Sequence, residues 1–190
     1  MTEAAVLDMF RQSGALLEGH FRLSSGLHSE KYLQSALVLQ HPEFAEALGS
    51  RIAEAVAHLQ PTVVVSPALG GIVIGQETAR ALGVRAIFAE RQDGKLLLRR
   101  GFALAESDRA VVVEDVITTG GSTRETCDAL RAAGALVVGA ASIIDRSGGR
   151  SDVGVPRVAL ATLEVPAISP ADCPLCAAGV PVVKPGSRKQ

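Results

Sequence analysis

Two runs of three valines constrain the architecture most. Val63-Val64-Val65 and Val111-Val112-Val113 are continuous apolar β-branched stretches, the pattern of parallel strands buried on both faces. Each leads into a turn carrying paired glycines, Pro67-Ala68-Leu69-Gly70-Gly71 and Thr118-Thr119-Gly120-Gly121-Ser122. A helical stretch follows each turn, ending near Gly83 in the first case and running from about Ser122 to Ala133 in the second. Further strands are expected over Val84–Ala89, Ala135–Asp145 and Val155–Ala161. Strands alternating with helices predict an α/β fold: a central, mostly parallel sheet flanked by helices on both faces.

The preceding residues fit around that sheet. Pro42 suits a first helical position. Phe44, Leu48, Ile52 and Val56 recur every four residues, with Leu59 after them and Pro61 as the stop, which is a buried helical stripe. At the start, Thr2 can cap a helix whose face is Val6, Leu7 and Phe10 and whose stop is Gly14. Between these helices, short apolar runs flank Ser24-Ser25-Gly26, the signature of a hairpin. This hairpin is expected to form a small lobe, or hood, mainly within residues 1–40, beside the main sheet. No repeat or linker divides the 190 residues, so one domain is expected, with a polar tail from Lys184 to Gln190 that frays.

Composition excludes several functions. Aromatic residues are 3% of the chain and Trp is absent, leaving little with which to stack bases of single-stranded nucleic acid. A net charge of -1 offers no footprint for gripping a phosphate backbone. No apolar run is long enough to cross a bilayer. Met1-Thr2-Glu3-Ala4-Ala5 lacks the basic start and apolar stretch of a secretory signal, which makes the cytoplasm the default expectation. Three cysteines, Cys127, Cys173 and Cys176, do not suggest a disulfide framework. Cys173-Pro-Leu-Cys176 has the spacing of a zinc half-site or a redox pair, but no second pair or nearby His-x-x-x-His completes four ligands. The plain expectation is two ordinary thiols.

The chemistry concentrates in Val111 to Thr123. An apolar strand ends in Glu114 and Asp115, and a turn of hydroxyls and glycines then opens a helix. Ligands of open α/β sheets bind beyond the carboxyl ends of strands. Backbone N–H groups at a helix start, with the positive end of its dipole, favour a phosphate. Carboxylates beside such a cradle suit ribose hydroxyls and the orienting of a hydrated Mg2+. Other nucleotide signatures fail. Gly70 to Glu77 has the glycine spacing of a Walker A loop but lacks its Lys-Ser/Thr, and no G-x-G-x-x-G follows a strand.

Val111 to Thr123 resembles the phosphoribosyl diphosphate (PRPP) motif of type I phosphoribosyltransferases, in the form typical of the orotate enzymes. Three further segments are similar to that subfamily: Phe21 to Ser29 to its hood motif, Ser66 to Gly71 to its pyrophosphate loop, and Asp145 to Gly149 to the segment whose Arg contacts orotate. One departure is Ser24, where some members carry Lys. Another is Arg91-Gln92-Asp93-Gly94-Lys95, where some carry a loop rich in Lys and His.

The resemblance implies an enzyme that transfers ribose 5-phosphate from PRPP to orotate, with Mg2+, in pyrimidine biosynthesis. Glu114 and Asp115 would hold the ribose hydroxyls. Val116, Ile117, Thr118, Thr119, Gly120, Gly121 and Ser122 would wrap the 5'-phosphate. Ala68, Leu69, Gly70 and Gly71 would face pyrophosphate, and Thr118 and Arg146 would contact orotate. Lys95 and Arg91, in a stretch that also holds Arg99 and Arg100, would act with Asp115 in catalysis as part of a mobile loop. Mg2+ would be held mainly by PRPP, with no direct protein ligand, and the chain would form a homodimer. Arg146 itself makes chemical sense, because a guanidinium matches a carboxylate bidentately; otherwise it would pair with Asp145 or Asp152. The rival readings are a purine phosphoribosyltransferase, whose base has no carboxylate, and a non-enzymatic PRPP-sensing regulator.

Overall fold

The computed structural model describes residues 1–23 and 25–185. Helix α1 (Glu3–Gln12) is capped by the Thr2 hydroxyl, which accepts from the Ala5 N–H at 3.3 Å. Strands β1 (Leu16–Arg22) and β2 (His28–Leu33) form the expected antiparallel hairpin as a separate two-stranded sheet. Ser24, in the turn between them, lies outside the described residues. A short helix that the sequence reading did not anticipate, α2 (Ser35–Leu39), joins the hairpin to α3 (Pro42–Val56).

The alternation then unfolds as β3 (Val63–Pro67), α4 (Gly71–Leu82), β4 (Arg85–Gln92), β5 (Lys95–Leu98), β6 (Arg109–Ile117), α5 (Gly121–Ala132), β7 (Leu136–Asp145) and β8 (Arg157–Thr162). The main sheet has the order β5-β4-β3-β6-β7-β8. All its pairings are parallel except β4 with the edge strand β5. That hairpin turns at Asp93-Gly94, where φ is 50° and 82°, the left-handed pair that such turns require.

The valine runs are buried on both faces, as their composition demanded. Val64, Val111 and Val113 pack with Phe10, Leu48, Ile52 and Ile74 from α1, α3 and α4. Val63, Val65 and Val112 face the other way, against Cys127 and Leu130 of α5. The α3 stripe sits in the core: Leu48, Ile52 and Val56 are at most 1% exposed, each contributing about 1.5–3 kcal/mol by burial. Of the first 40 residues, α1 and α2 therefore lend Val6, Phe10, Val38 and Leu39 to the main core, and the hairpin is the part that forms its own sheet.

Beyond β8 the chain returns to the hairpin. Ile168 and His28 exchange backbone hydrogen bonds at 2.8 Å on one edge. On the other edge the Val183 N–H donates to the His20 carbonyl and the Arg22 N–H to the Val183 carbonyl, both at 2.8 Å. A four-residue helix, α6 (Pro174–Ala177), lies between these contacts. Of the tail expected to fray, residues 186–190 lie outside the described residues.

Candidate active site

The parallel strands β3, β6 and β7 end at one edge of the sheet, and the sequence-expected segments meet there. One correction concerns β6. It does not end at the carboxylates but continues through Val116 and Ile117, which pair with Ile144 and Asp145 of β7. Glu114 and Asp115 thus sit inside the last residues of a hydrogen-bonded strand and point to opposite faces. Glu114 accepts a hydrogen bond from the Thr123 hydroxyl on α5. Burial, reinforced by the neighbouring Asp115 charge, pushes the Glu114 carboxyl up to about 7 against the Thr123 bond. Asp115 faces the turn after β3, and burial likewise raises its pKa, opposed by the Val116 N–H.

That turn approaches Asp115 closely. A Cβ on Gly70 would stand 2.8 Å from Asp115 Oδ1, so a larger residue there would push the Asp115 carboxylate aside. The Ala68–Leu69 peptide is cis and Leu69 is largely exposed. Asp115, Gly70, Leu69 and Gln34 line a cavity of about 360 Å³.

After β6, Thr118 and Thr119 stand exposed at the start of α5, and Gly120 takes φ 81° with its Cα against Val153. The Gly121 N–H donates to Thr119 Oγ1 at 3.4 Å. Thr118 and Thr119 wall a second, larger cavity of about 770 Å³ together with Arg146, Arg22, Tyr32 and Lys184. Three cations therefore border this cavity and no carboxylate does, among the described residues. Such a wall selects an anion.

Arg146 is held there by its neighbours rather than by its own side chain. Its N–H donates to the Ile117 carbonyl at 2.8 Å. Asp145, 1% exposed, organises the following loop: its carboxylate accepts from the Ser147 N–H and hydroxyl at 2.7 and 2.6 Å, from the Gly149 N–H at 3.0 Å, and from Arg157 at 2.8 Å. Burial pushes the Asp145 carboxyl up, but Ser147 and Arg157 more than offset it, leaving it below the ordinary range. Asp152 is likewise taken, by Arg124 at 2.8 Å. The ion pairs that would have made Arg146 a surface residue are thus absent among the described residues. Its Nε is buried without a hydrogen-bond partner there, and burial lowers its pKa.

The loop cations are placed differently. Arg91 pairs with Glu125 of α5 at 2.9 Å, and Arg99 and Arg100 pair with Glu90 at 3.6 and 2.9 Å. Lys95, at the start of β5, is exposed and has no ion pair among the described residues. None of the four lines either cavity. The structure therefore gathers Glu114 to Ser122, the turn Ala68 to Gly71 and Arg146 at one sheet edge, and leaves Arg91 and Lys95 on a separate hairpin.

The sequence reading assigned no role to Arg22, Tyr32 or Lys184. Arg22 lay inside the hood motif, but a single exposed cation carries no signal alone. Lys184 was assigned to a frayed tail, yet the backbone bonds of Val183 bring it to the cavity. The expectation for Cys173 and Cys176 also changes. His20 and His28 from the hairpin face both thiols, and the four side chains' ligand atoms lie within 4.8 Å of one another.

Hydroxyls and backbone N–H groups at a strand-to-helix turn, with paired carboxylates before them, suit a ligand that carries both a phosphate and a sugar. Consistently, residues 35–164 match the model of the phosphoribosyl transferase domain. An orotate phosphoribosyltransferase of Pelotomaculum thermopropionicum is 52% identical over 189 residues, spanning 100% of both chains. The crystal structure of orotate phosphoribosyltransferase from Aeropyrum pernix superposes with a TM-score of 0.68 at 26% identity, over 84% of this chain and 94% of that one. The Mycobacterium tuberculosis enzyme in complex with PRPP shares the fold, with a TM-score of 0.67 at 24% identity over 85% of this chain and 96% of that one. The chain belongs to the orotate phosphoribosyltransferase family.

Proposed function

We propose that this chain transfers the ribose 5-phosphate group from PRPP to orotate, giving orotidine 5'-monophosphate and pyrophosphate. One observation carries the choice of base: Arg146 presents a guanidinium, unpaired among the described residues, to a cavity walled by cations. A carboxylate on the base would satisfy it bidentately. A purine would leave it buried and unpaired, at a cost of about 1–3 kcal/mol or more. The relatives named above carry the same activity in their names.

The residues divide the work by position. Val116 to Ser122 receive the 5'-phosphate, using N–H groups at the start of α5. Glu114 and Asp115 accept from the ribose hydroxyls, and Ala68 to Gly71 face the pyrophosphate. Thr118 and Arg146 orient orotate so that its ring nitrogen meets the anomeric carbon. The bond from that carbon to pyrophosphate oxygen breaks, the oxygen keeping the electron pair. The ring nitrogen's lone pair forms the new bond, and its proton passes to solvent. No enzyme nucleophile is required; positioning and charge neutralisation supply the acceleration.

Lys95, exposed, is the cation most available to the leaving group, and Arg91 would first have to leave Glu125. Mg2+ would be held mainly by PRPP, since it binds substrate phosphates and keeps several waters rather than taking a full protein cage, with Glu114 and Asp115 near enough to orient its water shell. Bound there, it would neutralise pyrophosphate charge. We read residues 1–190 as one domain acting as a homodimer in the cytoplasm; no helix among the described residues is long and apolar enough to cross a membrane. Sedimentation of the purified chain tests the dimer.

The test of function is orotate consumption followed by absorbance, with PRPP and Mg2+ each omitted in turn and with hypoxanthine or adenine replacing orotate. Turnover of orotate alone, dependent on both additions, is expected. Turnover of a purine instead, or PRPP binding without turnover of any base, would move the chain to one of the rival readings.

A further inference from the structure

We propose that His20, His28, Cys173 and Cys176 bind one Zn2+ in a closed structural site that ties the C-terminal segment to the hairpin. The ligands come from two ends of the chain. His20 lies on β1 and His28 on β2; Cys173 precedes α6 and Cys176 lies within it. Cys173 Sγ is 3.5 Å from His20 Nε2, and Cys176 Sγ is 3.6 Å from His20 Nε2 and 3.2 Å from His28 Nδ1. A tetrahedral zinc with Zn–N near 2.0 Å and Zn–S near 2.3 Å sets neighbouring ligand atoms about 3.3–3.8 Å apart. The sulfur–nitrogen distances already fall at that spacing or within a few tenths of an ångström of it. The His20 Nε2 to His28 Nδ1 separation, 2.8 Å, must open as the ion enters, and the widest separations in the cluster, up to 4.8 Å, must close.

The tautomer of His20 suits a metal, while His28 would move its Nδ1 proton to Nε2 on binding. The His20 Nδ1 lies 2.8 Å from the Val180 carbonyl, which can only accept, so Nδ1 carries the proton. In the neutral ring Nε2 then turns a lone pair toward the thiols. A backbone carbonyl fixing the outer nitrogen is the usual support of a zinc-bound imidazole. His20, His28 and Cys173 are each at most 6% exposed, whereas Cys176 is exposed and offers an entry path. Two neutral imidazoles and two thiolates select zinc among the common divalent ions. Binding would release two thiol protons to solvent and leave a neutral site. With four protein ligands and no open position, the site would be structural rather than catalytic.

The fold gives such a site a purpose. A two-stranded hairpin is marginal on its own. The segment that crosses it holds few buried side chains, Val165 and Cys173 among them. Zinc would supply folding energy where the apolar core does not reach. It would also fix Val183, whose neighbours Lys184 and Pro185 wall the larger cavity with Arg22. This last consequence, unlike zinc binding itself, rests on the proposed function.

The test uses the full chain without a histidine tag, purified under reducing conditions, with zinc measured by mass spectrometry. One zinc per chain is expected, released to a chromogenic chelator when a mercurial blocks the thiols. Replacement by Co2+ should give the visible bands of a tetrahedral thiolate site. Cys176→Ser and His28→Ala should lose most of the metal, and Cys127→Ala, far from the cluster, should keep it. Should the variants fail to fold, Co2+ titration of the metal-stripped wild type decides alone. Reduced wild type that takes up neither metal, metal content unchanged in Cys176→Ser, or a Cys173–Cys176 disulfide as the only change at the site would each overturn the proposal. The metal-stripped enzyme, resupplied with Mg2+, should show a raised KM for orotate. An unchanged KM with zinc confirmed would refute only the link to the pocket.

Discussion

Arg146→Ala separates recognition from stability with unusual clarity. The wild-type guanidinium has no ion pair among the described residues, and its Nε is buried without a partner. Truncation therefore removes no folded-state salt bridge, and the melting temperature should hold or rise slightly as a desolvated charge disappears. Substrate recognition should respond in the opposite sense. Removing one partner of a desolvated, hydrogen-bonded charge pair costs about 2–5 kcal/mol. At 1.4 kcal/mol per tenfold, kcat/KM for orotate should fall roughly 30- to 4,000-fold. The KM for PRPP should change little, because the phosphate cradle and Asp115 are untouched. Arg146→Lys keeps a charge but loses the planar fork, and should fall between wild type and Ala. The assay is the loss of orotate absorbance across both substrate series, alongside thermal unfolding. A variant with near-wild-type kcat/KM for orotate would refute the assignment. One that melts far below wild type would refute the claim that Arg146 is free for substrate.

Further outcomes at three residues follow from the geometry. Glu114, raised to about 7, should make kcat/KM for PRPP climb with pH through that value as the acceptor carboxylate forms; Glu114→Gln should lose that limb of the pH profile. The sign for stability is opposite: the raised folded value means that stability from Glu114 falls as pH rises from about 4.5 to about 7, which urea titrations of the pair would detect. Gly70→Ala places a Cβ 2.8 Å from Asp115 Oδ1, so PRPP binding measured by calorimetry should weaken by an order of magnitude or more while the fold persists. Asp145→Asn breaks a buried pair with Arg157 and should cost about 3–5 kcal/mol in chemical denaturation. Because the Asp145 carboxyl is held below its ordinary range, its stabilisation is present above that range and lost as pH falls through the lowered folded value.

What could be read in the sequence was whatever local chemistry determines. The valine runs gave the sheet because a continuous β-branched stretch has no wet face to offer, and both runs proved buried on two sides. Glu114 to Ser122 stood out because acids at an apolar strand's end conflict with packing. Legibility failed where partners are distant in sequence. Nothing near Arg146 reveals that Asp145 is already taken by Arg157, or Asp152 by Arg124, and only that knowledge turns a surface cation into an anion receptor. The strand's continuation past Asp115 depends on Ile144 and Asp145 offering backbone partners. Cys-Pro-Leu-Cys shows the limit most sharply. Its spacing was visible, but its missing ligands were sought beside it, and His20 and His28 lie about 150 residues upstream. A half-site of two thiols is therefore weak evidence against a metal: the hairpin register that sets His20 near His28 completes the set, and a register follows from the whole fold rather than from any local run.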